Sequence, residues 1–118
     1  MPVTGVGGLF FRAKDPEALG RWYREHLGVV LEGGAPWDQA AGPTVIVPFA
    51  ADTDYFPAAK QWMVNYRVTE LDELLAGLRA AGVEVRTDPD WDSPEVGRFA
   101  RIQDPEGNPI ELWEPAPE

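Results

Sequence analysis

A weak internal repeat limits what this chain can fold into more than any other feature. Leu9-Phe10-Phe11-Arg12-Ala13-Lys14-Asp15 lies over Val64-Asn65-Tyr66-Arg67-Val68-Thr69-Glu70 at a fixed offset. Phe11 then falls on Tyr66, Arg12 on Arg67, Asp15 on Glu70 and Leu19 on Leu74. One residue out of step, Gly28 falls on Gly82, each followed by a valine and a short apolar run. Both copies read as strand, helix, glycine stop, strand, so the chain reads as one unit used twice.

Local signals fill in the unit. Asp15 is an N-cap residue with Pro16 behind it at the first helical position, where a missing N–H costs nothing. Leu19, Trp22, Tyr23 and Leu27 recur at helical spacing, and Gly28 provides a left-handed stop. In the second copy Thr69-Glu70-Leu71-Asp72 reads as a capping box with Asp in place of Glu, and Leu71, Leu74, Leu75 and Leu78 form the apolar stripe before Gly82. Strands are expected at Val29–Leu31, Pro43–Val47, Val83–Val85, Arg98–Gln103 and Pro109–Trp113, with Pro48–Lys60 as a linker and 87–97 as a loop. Asp104-Pro105-Glu106-Gly107-Asn108 between two alternating segments is a hairpin signal.

Strand alternation separates two faces. Leu9, Phe11, Ala13, Trp62, Val64, Tyr66 and Val68 fall on the side expected to meet the helices, as do Ala100, Ile102, Ile110 and Leu112. The other side carries Gly8, Phe10 and Arg12, then Met63, Asn65 and Arg67, then Phe99, Arg101, Glu111 and Trp113. Aromatics, arginines, an amide and one carboxylate make neither a plain core nor a plain solvent face. They are the chemistry of a ligand cavity, mostly apolar with a few placed polar groups.

Composition removes several classes of function. Twenty acidic against ten basic residues give a net charge of −10, and no basic run occurs, so nucleic acid and membrane surfaces are not expected partners. The chain has no cysteine, hence no disulfide, thiolate nucleophile or Cys-based metal site. Without a long apolar span or a leader pattern, a soluble cytoplasmic domain is expected.

The run Gly8 to Asp15, the helix ending Trp22-Tyr23-Arg24-Glu25-His26-Leu27-Gly28, and the close Asp104-Pro105-Glu106-Gly107-Asn108-Pro109-Ile110-Glu111-Leu112 together resemble the glyoxalase/bleomycin-resistance/dioxygenase (vicinal oxygen chelate) superfamily. The resemblance implies an α+β fold of two βαβββ modules curling into an incomplete barrel around a cavity. On that plan module one takes about residues 1–50, the linker 51–60 and module two 61–115. It also implies a homodimer and, in the enzymes, a divalent metal held by His, Glu or Gln on the first and last strands of the modules. The matching first-strand positions here are Gly8 and Met63, neither a ligand for a hard ion, and Pro43 to Phe49 holds no His, Glu or Asp. Glu111 alone keeps a ligand type at its place, and one carboxylate does not make a metal site.

The expectation is therefore a cofactor-free protein that sequesters an aromatic or polycyclic small molecule such as an antibiotic, similar to the drug-binding branch of the superfamily. Its candidate binding residues are Phe10, Arg12, Trp37, Met63, Asn65, Arg67, Phe99, Arg101, Glu111 and Trp113, with no catalytic or metal residue assigned. Rings and Met stack, while arginines grip phenolate, quinone or carboxylate oxygens. Two alternatives stand beside it. One is a metal-dependent lyase, isomerase or dioxygenase using Glu111, with Asp38, Asp52, Asp54 or a partner subunit completing the site. The other is a non-catalytic dimerisation module whose aromatics form the interface. Glu111 is expected as a ligand acceptor or as the ion-pair partner of Arg101, Arg67 or Arg12. The sole histidine, His26, reads as a helix-end residue, Trp91 as a loop residue of open role, and Asp88, Asp90 and Asp92 as a solvated loop.

Overall fold

The computed structural model describes residues 2–31 and 36–117, and it is α+β with an unclosed, curled sheet, the fold class expected. Helix α1 spans Pro16–Leu27 and strand β1 Val64–Arg67; helix α2 spans Leu71–Ala80, strand β2 Gly97–Gln103 and strand β3 Pro109–Pro115. The strand order is β1-β3-β2, with β3 parallel to β1 and antiparallel to β2. Both helices pack on one face of this sheet.

The cap on α1 forms as its residues dictate. Asp15 accepts a hydrogen bond from the Ala18 N–H at 3.0 Å, and Gly28 closes the helix in the left-handed region at φ 68°. Leu19 and Tyr23, one turn apart, enter the core, with Trp22 and Leu27 packed at its margin. Helix α2 contributes Leu71, Leu75 and Leu78, and the sheet contributes Ala100, Ile102, Ile110 and Leu112. Gly97 is needed where β2 begins: its φ is 125°, and a Cβ there would sit 2.1 Å from the Glu114 carbonyl oxygen.

Three expectations need correction. The capping box at Thr69 does not form. Glu70 is the N-cap, without a side-chain bond, and the Leu71 N–H donates instead to Glu114 on β3 at 3.0 Å. A carboxylate from a neighbouring strand satisfies the helix end as well as a local one would. Trp62 is 68% exposed rather than on the helix side, because β1 starts two residues after it. The first-half segments expected as strands, including Val29–Leu31 and Pro43–Val47, have no strand partner among the described residues. Their alternation is present but no hydrogen-bonded strand neighbour is, among the described residues, and Leu9, Phe11 and Ile46 stay exposed while Ala13 and Val29 reach the core.

The β2–β3 turn fixes α1 to the sheet. Asp104 is buried, and it accepts from the Tyr23 hydroxyl at 2.8 Å, from the Glu106 and Asn108 N–H groups at 2.9 and 3.0 Å, and from the Asn108 amide at 2.7 Å. The next acid, Glu106, accepts from the Lys14 and Asp15 N–H groups just ahead of α1. Burial, followed by the bond to Asp104, drives the Tyr23 pKa far above the tyrosine value, and burial beside Asp104 pushes Tyr66 up to about 12.

Two outcomes are expected. Tyr23→Phe should cost about 1–2 kcal/mol in urea denaturation and Asp104→Ala roughly 3 kcal/mol, since the second leaves several buried donors unpaired. Stability should also fall as pH rises above about 10. Unfolded tyrosines ionise there while Tyr23 and Tyr66 hold their protons when folded, so the native state binds more protons and loses ground. Absorbance at 295 nm should show their ionisation arriving together with unfolding.

Candidate ligand-binding site

Strand β3 aligns the residues of the second face. Glu111 stands opposite Arg101 on β2 and Asn65 on β1, and Trp113 stands opposite Phe99 and Arg67. Because side chains alternate, these cross-strand neighbours share a face. The structure thus brings together Asn65, Arg67, Phe99, Arg101, Glu111 and Trp113. It leaves Phe10, Arg12 and Trp37 exposed on the first-half segments, with Phe10 95% open to solvent.

The face is partly roofed by the stretch expected to be a linker. Tyr55 donates through its hydroxyl to Glu111 Oε2 at 2.5 Å, while its carbonyl accepts from Arg101 Nη1 at 3.0 Å. Asn65 Nδ2 donates to Glu111 Oε1 at 2.8 Å, so each oxygen of this buried carboxylate has a neutral donor. Burial, then the bond to Glu111, raises the Tyr55 pKa, and the Arg101 charge offsets part of that rise. Tyr55 remains a donor at neutral pH.

Of the two roles expected for Glu111, ligand acceptor or ion-pair partner of an arginine, the ion pair does not form among the described residues. Arg101 turns toward rings instead, its guanidinium carbon 3.5 Å from the Tyr55 ring centre and 3.8 Å from that of Trp91. Arg67 donates to the Ala40 carbonyl at 3.0 Å, tying β1 to the first half of the chain, and Arg12 lies exposed. Tyr55 and Asn65 occupy the places around Glu111 that an arginine would take. Phe99 and Trp113 stack with ring centres 6.1 Å apart and planes 3° apart. Trp113 is buried, and its Nε1 donates to the Val96 carbonyl at 2.9 Å, so it supports the face from beneath rather than presenting an open ring.

Beside this cluster lies a pocket of 370 Å³. Its wall includes Tyr55, Phe56, Met63, Arg86, Arg101 and Ile102. Of these, only Met63 and Arg101 are among the residues the sequence singled out. Tyr55 and Phe56 were hidden in the expected linker, although they and Phe49, which packs on both, are a poor composition for a flexible connector. Arg86 had no signal of its own, since its place beside Arg101 comes from a single bridge between distant segments.

The residues present do not fit a divalent metal. The implied positions hold Gly8 and Met63, Glu111 is satisfied by Tyr55 and Asn65, and among the described residues no three His, Cys, Asp or Glu side chains gather to hold an ion. His26 is half-buried against Trp22, with ring centres 5.2 Å apart, in the last turn of α1.

Comparison with known proteins agrees with this geometry. The chain resembles TnmS3, an antibiotic-binding protein from Streptomyces sp. CB03234, with TM-score 0.58 and 27% identity over 98% of this chain and 99% of that one. It is 40% identical over 57 residues to CFP32, named as a candidate glyoxylase, from Mycobacterium bovis and from Mycobacterium tuberculosis. That match takes in 48% of this chain and 22% of the mycobacterial proteins, so the chain spans a small part of their length. The Glyoxalase-like domain profile matches residues 8–113, nearly the whole of the sequence, and the chain belongs to that family.

Proposed function

We propose that this protein binds and sequesters an aromatic or polycyclic small molecule, such as an antibiotic, without a metal ion. The observation that carries the reading is the 370 Å³ pocket, walled by Tyr55, Phe56 and Met63, beside a carboxylate already satisfied by protein donors. Its volume is in the range that takes drug-sized ligands, and rings with a thioether suit stacking. The likeness to an antibiotic-binding protein along essentially the full length of both chains supports the same reading. Against general-base chemistry at Glu111 stands its engagement by Tyr55 and Asn65, since a substrate proton would have to compete with a donor already on each oxygen.

The reading includes a homodimer acting in the cytoplasm. Support for the dimer comes from the exposed Leu9, Phe10, Phe11, Val45 and Ile46 on segments without strand partners among the described residues. No helix among the described residues is long and apolar enough to cross a membrane. Light scattering should return about twice the 13.0 kDa chain mass.

A screen of aromatic antibiotics by tryptophan fluorescence and thermal shift should yield a ligand, and Tyr55→Ala and Met63→Ala should each weaken it about ten-fold. If no aromatic compound binds, the sequestration reading fails. Tag-free protein equilibrated with nickel, zinc, manganese or iron(II) should retain far less than one equivalent. Near-stoichiometric metal lost in Glu111→Ala would instead put the lyase, isomerase or dioxygenase reading first.

A further inference from the structure

We propose that the pocket selects planar aromatic anions, an aryl carboxylate or phenolate, through the guanidinium groups of Arg86 and Arg101, which line it from paired backbone positions. This inference rests on the small-molecule-binding reading and names the ligand's charge.

Arg86 and Arg101 are direct antiparallel partners. The Arg86 N–H donates to the Arg101 carbonyl at 2.9 Å and the Arg101 N–H to the Arg86 carbonyl at 2.8 Å. Partners of this kind project their side chains to the same side, and both line the pocket. Like charges placed opposite each other destabilise a sheet unless something neutralises them. Among the described residues no acid does so: the ion pairs present join Arg98 to Asp72 and Glu114. The nearest carboxylate across the sheet, Glu111, is held by Tyr55 and Asn65. Asp54 and Glu84 also line the pocket, exposed like Arg86, and no ion pair joins either of them to Arg86 or Arg101.

Arg101 is held for the task. Tyr55 and Trp91 clamp its guanidinium between their rings, and the Tyr55 carbonyl takes one Nη1 proton. Its Nε is buried without a hydrogen-bond partner. A guanidinium fixed in plane with no carboxylate paired to it is a ready partner for an oxyanion. The rings of Tyr55 and Phe56 and the Met63 thioether supply the apolar contact that a flat arene needs. An anionic oxygen on a fused ring meets both requirements at once.

The test compares anthraquinone-2-carboxylate with anthraquinone-2-carboxamide, which has the same shape without the charge, by titration calorimetry on the full chain. The carboxylate should bind about ten-fold or more tightly than the amide. Arg101→Gln and Arg86→Gln should each shrink that ratio toward one, while Arg98→Gln, outside the pocket, should leave it unchanged. Because Arg101→Gln also loses its ring contacts, Arg101→Lys provides a second variant that keeps the charge but not the fork, and it should retain only part of the preference. Equal binding of acid and amide to the wild-type protein overturns the anion inference while leaving small-molecule binding in place. So does binding of neutral or cationic arenes when the carboxylate fails. Failure of every arene overturns the binding reading as well.

Discussion

The buried carboxylate of Asp104 is the interaction on which the remaining structure depends. It opens the turn between β2 and β3 and takes four hydrogen bonds, three from its own turn and one from Tyr23 on α1. A buried carboxylate is tolerated only when its lone pairs are filled, and charge-assisted bonds of this kind are among the strongest available to a protein. The turn sets the β2–β3 register, and that register decides which residues share the second face. The bond to Tyr23 meanwhile fixes α1 over the same sheet, with Glu106 holding the backbone that leads into the helix. One acidic turn therefore couples the first half of the chain to the second.

From that register the chemistry of the site follows. β3 lies between β1 and β2 and has both faces covered, which is why Glu111 and Trp113 are buried although they point away from the helices. A carboxylate in such a place needs donors, and the chain provides neutral ones from Asn65 and from Tyr55. Arg101, the cross-strand neighbour of Glu111, is consequently left with its charge unspent and is held by rings instead. Satisfying the acid with neutral groups and the base with aromatic faces keeps the two apart. A direct Glu111–Arg101 pair would have neutralised both and left the pocket with little electrostatic character.

Much of this was legible in the sequence where the cause is local. The Asp15 cap, the Gly28 stop and the Asp104–Asn108 turn are each set by residues within a few positions, and strict alternation along 98–103 and 109–113 sorted the sheet into its two faces. What escaped depends on contacts between distant segments. Tyr55 is 56 positions from Glu111, and no periodicity marks it. The Glu114 carboxylate that caps α2 comes from a strand 43 positions away, while the local Thr69 suggested a cap that never formed. The first-half segments show the reverse failure. Their alternation is real, but a strand is defined by a hydrogen-bonded neighbour, and pattern alone cannot supply one.

The charge balance of the whole chain gives the site its particular physics. A protein with a net charge of −10 repels anions at long range, and on the proposed reading Arg86 and Arg101 answer that repulsion at a pocket whose rim also carries Asp54 and Glu84. Screening confines the repulsion to roughly 8 Å at physiological ionic strength, about the depth of a surface pocket. On the proposed reading an anionic arene is disfavoured on approach and rewarded on contact, where oxygen and guanidinium meet. On the same reading, small anions without a flat apolar body gain too little from the rings to overcome the approach, and flat neutral compounds gain hydrogen bonds from the arginines but no charge pairing. Selectivity on that reading resides in the coincidence of charge and shape within one pocket rather than in the protein's overall field.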